Sequence, residues 1–483
     1  MNETEKYERV IGLEVHVQLS SLSKIFCSDA TTFGNPPNFN TGPVSLGHPG
    51  TLPVLNKEVL KMAVQLGLAT RSEISRNFYF SRKNYFYTDL PKGYQVSQDT
   101  TPVCLGGEIE IKNDAGGKKK IALTRIHMEE DAGKSIHDLN PDYSLIDLNR
   151  AGVPLVEIVT EPDLRSSGEA YQFLAEIRKL VRYLGICDGN MEEGSLRCDA
   201  NVSLRPAGVE YYGTRTEIKN LNSLNNVKKA INLEVSRQKM ILGKGGNVRR
   251  ETLHYDTVND MLIPLRSKEE AQDYRYFPEP DLTPVKISEE YIKTLQDQMP
   301  ELPGEVYERM ITEFGLSEYD AGVISEDALI AGYFMETASR TNNYKNIANW
   351  IMGPVKSYLN EKKLSIKEYF LQPDALAIII DMIDKGIISH GIAVKKLLPL
   401  LEEDSGKDPG FLAKQHNLIM SSDTNELEEI ARQVLNENPS KVKAYQKGKI
   451  GLSGFFMGQI MKKSGGKADP KLTREILNEL LNN

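Results

Sequence analysis

The sequence predicts an α+β protein: a mostly antiparallel N-terminal sheet followed by a helical C-terminal part. Three observations predict it. Over the first ~285 residues, strand-like and helix-like hydrophobic periods alternate. Several of those strands carry one apolar and one polar face, the pattern of an antiparallel sheet covered on one side. Beyond that point the period becomes helical, and Pro300, Pro303, Gly353 and Pro354 cut it into short helices.

The elements follow in order. VIGLEVHVQL (10–19) alternates as a strand. NKEVLKMAVQLGL (56–68) is a helix capped by Asn56. GEAYQFLAEIRKLVRYLG (168–185) places Ala170, Phe173, Leu174, Ile177, Leu180, Val181 and Leu184 on one face and stops at Gly185. A further helix runs from Ser223 to about Leu242 and ends at GKGG. DYRYFPEPDLTP (273–284) reads as a domain exit, and EEDSGKDPG (402–410) as a second boundary. The expected domains are therefore 1–285, 286–405 and 406–483.

Composition is that of an ordinary globular protein, 40% hydrophobic and 26% charged. The net charge of −8 hides an asymmetry. From Lys441 onward nine basic residues face three acidic ones, a net +6, so the rest of the chain is −14. A basic end on an acidic chain suggests a polyanionic partner for that end alone. The four cysteines, Cys27, Cys104, Cys187 and Cys198, show no paired spacing, which fits a reducing cytoplasm. The charged N-terminus lacks the apolar core of a signal peptide, and the longest apolar run, 375–380, is too short for a membrane span.

Several strands carry chemistry. In LEVHVQL, Glu14 and His16 share a face at a spacing of roughly 7 Å, so both can reach one cation above the sheet. On this motif alone a solvated strand face is the simpler reading. RIHMEEDAGKS puts Arg125, His127 and Glu129 on one face, with Glu130 and Asp131 entering a turn. The AGKS ending fails as a phosphate loop, because Met128 stands where the first glycine is required. The turn still offers backbone N–H groups and Lys134 to a phosphate. Glu157 lies inside the apolar strand VPLVEIVTEPD, where a carboxylate needs a metal or a salt bridge, with Arg150 a nearby partner in sequence. GSLRCDANVSLR alternates, with Arg197, Asp199, Asn201, Ser203 and Arg205 on one face, a set suited to phosphate and hydroxyl groups. RNFYFSRKNYFYTD surrounds Arg82 and Lys83 with aromatics, as a core strand or as a base-stacking surface. The chain contains no HExxH, GxSxG or GxGxxG and no cysteine in a glycine-rich nucleophile setting. It shows no route to amide hydrolysis through a covalent intermediate, so any amide nitrogen it uses comes from elsewhere.

Taken in series, IGLEVHVQL, FSRKNYFY with PKGYQVSQ, RIHMEEDAGKS, DLNRAGVPLVEIVTEPD, MEEGSLRCDANVSLRP, TEIKNLNS and YRYFPEPDL resemble the B subunits of bacterial three-subunit glutamyl/aspartyl-tRNA amidotransferases, from about residue 7 to the end. The resemblance implies a cradle-shaped N-terminal domain with a glutamine-synthetase-like sheet, a helical domain and a YqeY-like tail that touches tRNA. It implies ATP-dependent phosphorylation of the side-chain carboxylate of Glu-tRNA(Gln) or Asp-tRNA(Asn). Amidation follows, with ammonia channelled from the amidase (the A subunit) in a complex completed by the small C subunit. By motif it makes Glu14, His16, Glu129 and Glu157 Mg²⁺ ligands and puts Glu130 near a second cation position. Lys83 lines the pocket, and Glu192, Glu193, Arg197 and Asp199 form its wall. Arg125 and Lys134 are expected on the ATP side, and Lys447, Lys449, Lys462 and Lys463 on the tRNA side.

One departure matters. Many relatives carry four early cysteines for zinc, but here Cys27 is joined by Asp29, Gly42 and Ser45 at those positions. One thiolate does not make a structural tetrahedral site, so no structural zinc is expected. The alternatives are a free-standing carboxylate–amine ligase acting on a small substrate and a tRNA-binding scaffold without chemistry. The basic tail and missing ammonia source argue against the first. Glu157 and the same-face ligand pairs argue against the second.

Overall fold

Tyr7–Gln18 forms strand β1 in the middle of the main sheet. The computed structural model describes residues 6–137, 139, 142–267, 273–420 and 424–482. Among them the main sheet has ten strands. We number them along the chain: β1, β2 (Glu73–Ile74), β3 (Cys104–Leu105), β4 (Glu108–Lys112), β5 (Lys118–Glu130), β6 (Pro154–Thr160), β7 (Leu196–Pro206), β8 (Thr216–Leu221), β9 (Glu251–Asp256) and β10 (Met261–Ser267). Their order is β10-β9-β8-β7-β1-β6-β5-β3-β2, with β4 also paired to β5. All these pairings are antiparallel except β8 with β9. The exception has a cause: a helix, α3 (Leu224–Gly243), separates the two strands, and a crossover of that length permits a parallel pair.

One face of the sheet is covered by α2 (Ser167–Tyr183) and α3. Leu13, Val15 and Val17 of β1, Val156 and Ile158 of β6 and Cys198, Ala200 and Val202 of β7 are buried with Phe173, Ile177 and Val181 of α2 and Val227 and Ile231 of α3. Each fully buried large side chain contributes roughly 1.5–3 kcal/mol, which fixes the register of the strands and so the direction of every polar residue between them. Asn56, Ser166 and Ser223 accept from the first turns of α1 (Lys57–Ala69), α2 and α3, Asn56 being the cap and Ser223 the helix start that the sequence indicates. Gly185, with φ +66°, follows α2.

The chain divides between Leu302 and Pro303 into two compact units, so the first runs past the exit expected at 285. Its last helix, α4 (Glu289–Asp297), buries Ile292 and Leu295 in the first core and packs on α1. That apolar face is what keeps the segment with the sheet. The second unit is helical. Within it, Thr424–Glu437, Leu452–Lys463 and Pro470–Asn482 share a core of their own, built on Leu427, Val434, Phe456, Ile460 and Leu477. No described helix is long and apolar enough to cross a membrane.

Candidate active site

The open face of the sheet carries a row of polar side chains running across its strands. His16 on β1 stands opposite Glu157 on β6 and, on its other side, opposite Arg197 on β7. Glu157 in turn stands opposite His127 on β5. His16 Nε2 lies 3.6 Å from Glu129 Oε1 and 3.5 Å from Glu157 Oε2. His127 Nε2 lies 3.1 Å from the same Glu157 oxygen and 3.7 Å from Glu129 Oε2. Glu129 also accepts from Ser97 Oγ at 3.1 Å. His127 and Glu129 are each only 3% exposed.

Burial by itself would lower both imidazoles, but Glu129 and Glu157 outweigh it. They hold His16 above its ordinary value and push His127 up to about 9. Burial would likewise raise the two carboxyls, yet the imidazoles hold both below the usual range. Two carboxylates and one imidazole, with ligand atoms within 4.8 Å of one another, suit a divalent cation, so His16, Glu129 and Glu157 fit the expected metal.

The four expected ligands do not form one group. Glu14 falls in a second set with Asp199 and Glu217, whose carboxylate oxygens also lie within 4.8 Å of one another. Register explains the split: Glu14 is opposite Asp199 on β7, two residues along from the row of His16. Its Oε1 accepts from Asn201 Nδ2 at 2.9 Å. Burial, then Glu157, Asp199 and Glu217, hold its carboxyl above the usual range. A cleft of about 290 Å³ opens beside it, lined in part by Gly12, Val159, Ser203, Tyr212 and Arg215.

Other expected residues fall in different places. Lys83 lies on a neighbouring strand, Ser81–Asn84, with its ammonium 5.0 Å from the centre of the Tyr274 ring and 5.8 Å from that of Tyr85. Burial, then Glu129 and Glu130, raise the Tyr85 hydroxyl well above its ordinary value. Arg82 is structural: it pairs at 2.8 Å through two nitrogens with buried Glu279. Arg197 Nη2 donates to Asp131 Oδ2 at 2.9 Å, and Gln18 Nε2 donates to the same oxygen at 2.8 Å.

Three expectations need correction, and the remaining expected residues are placed after them. Glu130 points away from the row, because neighbouring residues of a strand face opposite sides. Its carboxylate pairs with Lys92 and accepts from Val96 N at 2.8 Å. Arg150 does not pair with Glu157; it lies 3.5 Å from Asp131 Oδ2 and donates to the carbonyls of Ala132 and Gly133. Lys134 is exposed on a separate hairpin opposite Asp147, and the Ala132 and Gly133 N–H groups are used by Asp131 Oδ1 and Asp89 O. The turn is therefore no phosphate cradle. Glu192 and Glu193 are exposed in the turn before β7, where their N–H groups are held by Asn190 Oδ1. Arg125 shares the face of His127, with its Nε buried and without a hydrogen-bond partner.

Sequence reasoning set His127 on the face of Glu129 without giving it a role, and it missed Asp131 as part of the site. The spacing of His127 to Glu129 was a usable signal. Asp131 had none, since it follows the strand end and its partners Gln18, Arg150 and Arg197 are distant in the chain. The four early positions do meet: Cys27 Sγ is 3.5 Å from Ser45 Oγ, and Asp29 accepts from Ser45 Oγ and, at 2.8 Å, from Gly42 N. In the tail, Lys447, Lys449, Lys462 and Lys463 are exposed, and Lys463 pairs with Glu437.

Comparison with known proteins places this architecture. Residues 9–293 match the GatB/GatE catalytic domain, and residues 332–481 match the GatB domain. The chain is 48% identical to the B subunit of the aspartyl/glutamyl-tRNA(Asn/Gln) amidotransferase of Gloeothece citriformis over 99% of its own length and 98% of the relative's. It is 48% identical to the protein of the same name from Syntrophotalea carbinolica, over 99% of both chains. With that of Caldicellulosiruptor saccharolyticus it shares 47%, again over 99% of both. With both of its parts matched and full-length relatives at this identity, the chain belongs to the GatB family.

Proposed function

We propose that the chain is the B subunit of a tRNA-dependent amidotransferase. It phosphorylates the side-chain carboxylate of Glu-tRNA(Gln) or Asp-tRNA(Asn) with ATP and then amidates it. The observation that carries this reading is the row of His16, Glu157 and His127 with Glu129, on the polar sheet face of the segment that matches the catalytic domain. In the first step a carboxylate oxygen bonds to the γ-phosphorus of ATP while the bond to the β,γ-bridging oxygen breaks, and ADP leaves. In the second, ammonia attacks the acyl carbon, phosphate leaves and the nitrogen loses a proton.

His16, Glu129 and Glu157 would hold Mg²⁺, with Glu14 beside them. Bound there, the ion neutralises phosphate charge as the phosphoryl group moves. Lys83 and Arg197 add positive charge at the rim, and Asp131 fixes Arg197 in place. Asp199 supports the Glu14 side. Ammonia comes from a partner amidase, in a complex with a small third protein. A tRNA substrate and four free cysteines fit a reaction in a reducing cytoplasm.

The test is co-purification with an amidase and a small third protein, followed by an ATP- and glutamine-dependent assay of Glu-tRNA(Gln) conversion. Full activity of the isolated chain on free glutamate would sink the reading. The tail gives a separate prediction. Charge reversal at Lys462 and Lys463 should weaken tRNA binding and lower the salt slope by about one for each phosphate no longer neutralised. Lys462 should account for more of the effect, because Lys463 already pairs with Glu437. An unchanged slope would make these charges a solvated face.

A further inference from the structure

The two acidic groups on the sheet are neutralised differently. The first faces imidazoles. The second contains an ammonium: Lys219 Nζ lies 2.7 Å from Asp199 Oδ2 and 3.0 Å from Glu217 Oε1. Lys219 and Glu217 are two residues apart on β8 and so share the open face of the sheet. Glu14 completes the group, but its hydrogen bond goes to the amide of Asn201 rather than to an ammonium. Carboxylates this close are relieved by a cation among them or by a proton on one of them, and here an ammonium lies against two of the three. The place a divalent ion would take is filled by a side chain of the protein.

We infer that Lys219 is the resident cation of the second acidic group: it holds Asp199 and Glu217 in place of a metal, limits the sheet to one divalent ion, and leaves Glu14 to face that ion. Lys219 is thus a positioning residue. It fixes metal stoichiometry and supplies a charge that need not be loaded from solution. A divalent ion entering the second group would have to displace the ammonium and break both of its ion pairs. The inference rests on the reading of His16, Glu129 and Glu157 as a metal site, and the test separates the two.

The full-length chain is stripped with chelator and titrated with Mn²⁺, with bound ion counted by electron paramagnetic resonance. The wild type should bind one Mn²⁺ per chain. Lys219→Met should bind two, Lys219→Arg one, and Lys219→Met with Glu217→Gln one again. Two ions in the wild type, or one in Lys219→Met, overturn the inference. No ion in the wild type removes the metal reading; a single ion gained by Lys219→Met would still support Lys219 as the resident cation, and none in either chain would end both. If Lys219→Met folds only with Mn²⁺ present, metal has replaced the lysine as expected. If it fails to fold with and without Mn²⁺, metal does not replace Lys219 and the inference fails.

Discussion

Glu157→Gln should reduce tRNA amidation by at least about 100-fold while leaving the glutaminase activity of a partner amidase largely intact. Removal of a residue that merely orients a metal ligand already costs roughly 10–100-fold, and the role proposed for Glu157 is that of a ligand itself. One of its oxygens serves both His16, at 3.5 Å, and His127, at 3.1 Å. The substitution keeps the shape, removes the charge, and leaves two imidazoles facing Glu129 alone. The same variant has a signature without metal or substrate. His127 is pushed up from 6.5 to about 9 in the folded chain. Its protonation therefore contributes stability that is fully present below pH 6.5 and is lost as pH rises through about 9. Melting curves of the metal-free wild type should show that loss between those values, and Glu157→Gln should show it at lower pH. Unchanged amidation by the variant would remove Glu157 from the ligand set.

Glu130→Ala should destabilise the first unit by about 3–5 kcal/mol, the cost of leaving a buried charge without its partner. Glu130 is 4% exposed. Its carboxylate pairs with Lys92, whose side chain is only 14% exposed, and accepts from Val96 N at 2.8 Å. Alanine strands both donors. Glu130→Gln keeps an acceptor and should cost less, about 1–3 kcal/mol. Denaturant unfolding of the full chain measures both. Mn²⁺ binding by whatever fraction stays folded should match the wild type, because Glu129 and not Glu130 faces His16. A Glu130→Ala chain of normal stability that fails to bind Mn²⁺ would return Glu130 to the cation site.

These two neighbours show how far the sequence could be read. Alternation in RIHMEED put Glu129 with His127 and Arg125, and the structure keeps that face. The sequence sent Glu130 into a turn and a resemblance of motifs drew it toward the cation, whereas it extends the strand and, by the same alternation, points away from Glu129. Hydrophobic alternation likewise gave the polar faces of β1 and β7, and the caps at Asn56, Ser166 and Ser223 lie where short-range hydrogen bonding puts them. All of these are decided by residues at most a few positions apart.

Strand order is not decided that way. Glu157 bridges His16 and His127 because β6 sits between β1 and β5, and Glu14 parts from His16 because β7 brings Asp199 opposite it. Lys219 meets Asp199 across β7 and β8. Asp131 collects Gln18, Arg150 and Arg197 from three distant segments. Each of these meetings depends on which strands pair and in what register, and burial of the apolar face against α2 and α3 decides both. The sequence by itself determined which side chains share the polar face of each strand. Only the tertiary structure decided which rows adjoin, and hence that the expected ligands form two groups rather than one, since the energy that orders the strands resides in the core beneath them and not in the site.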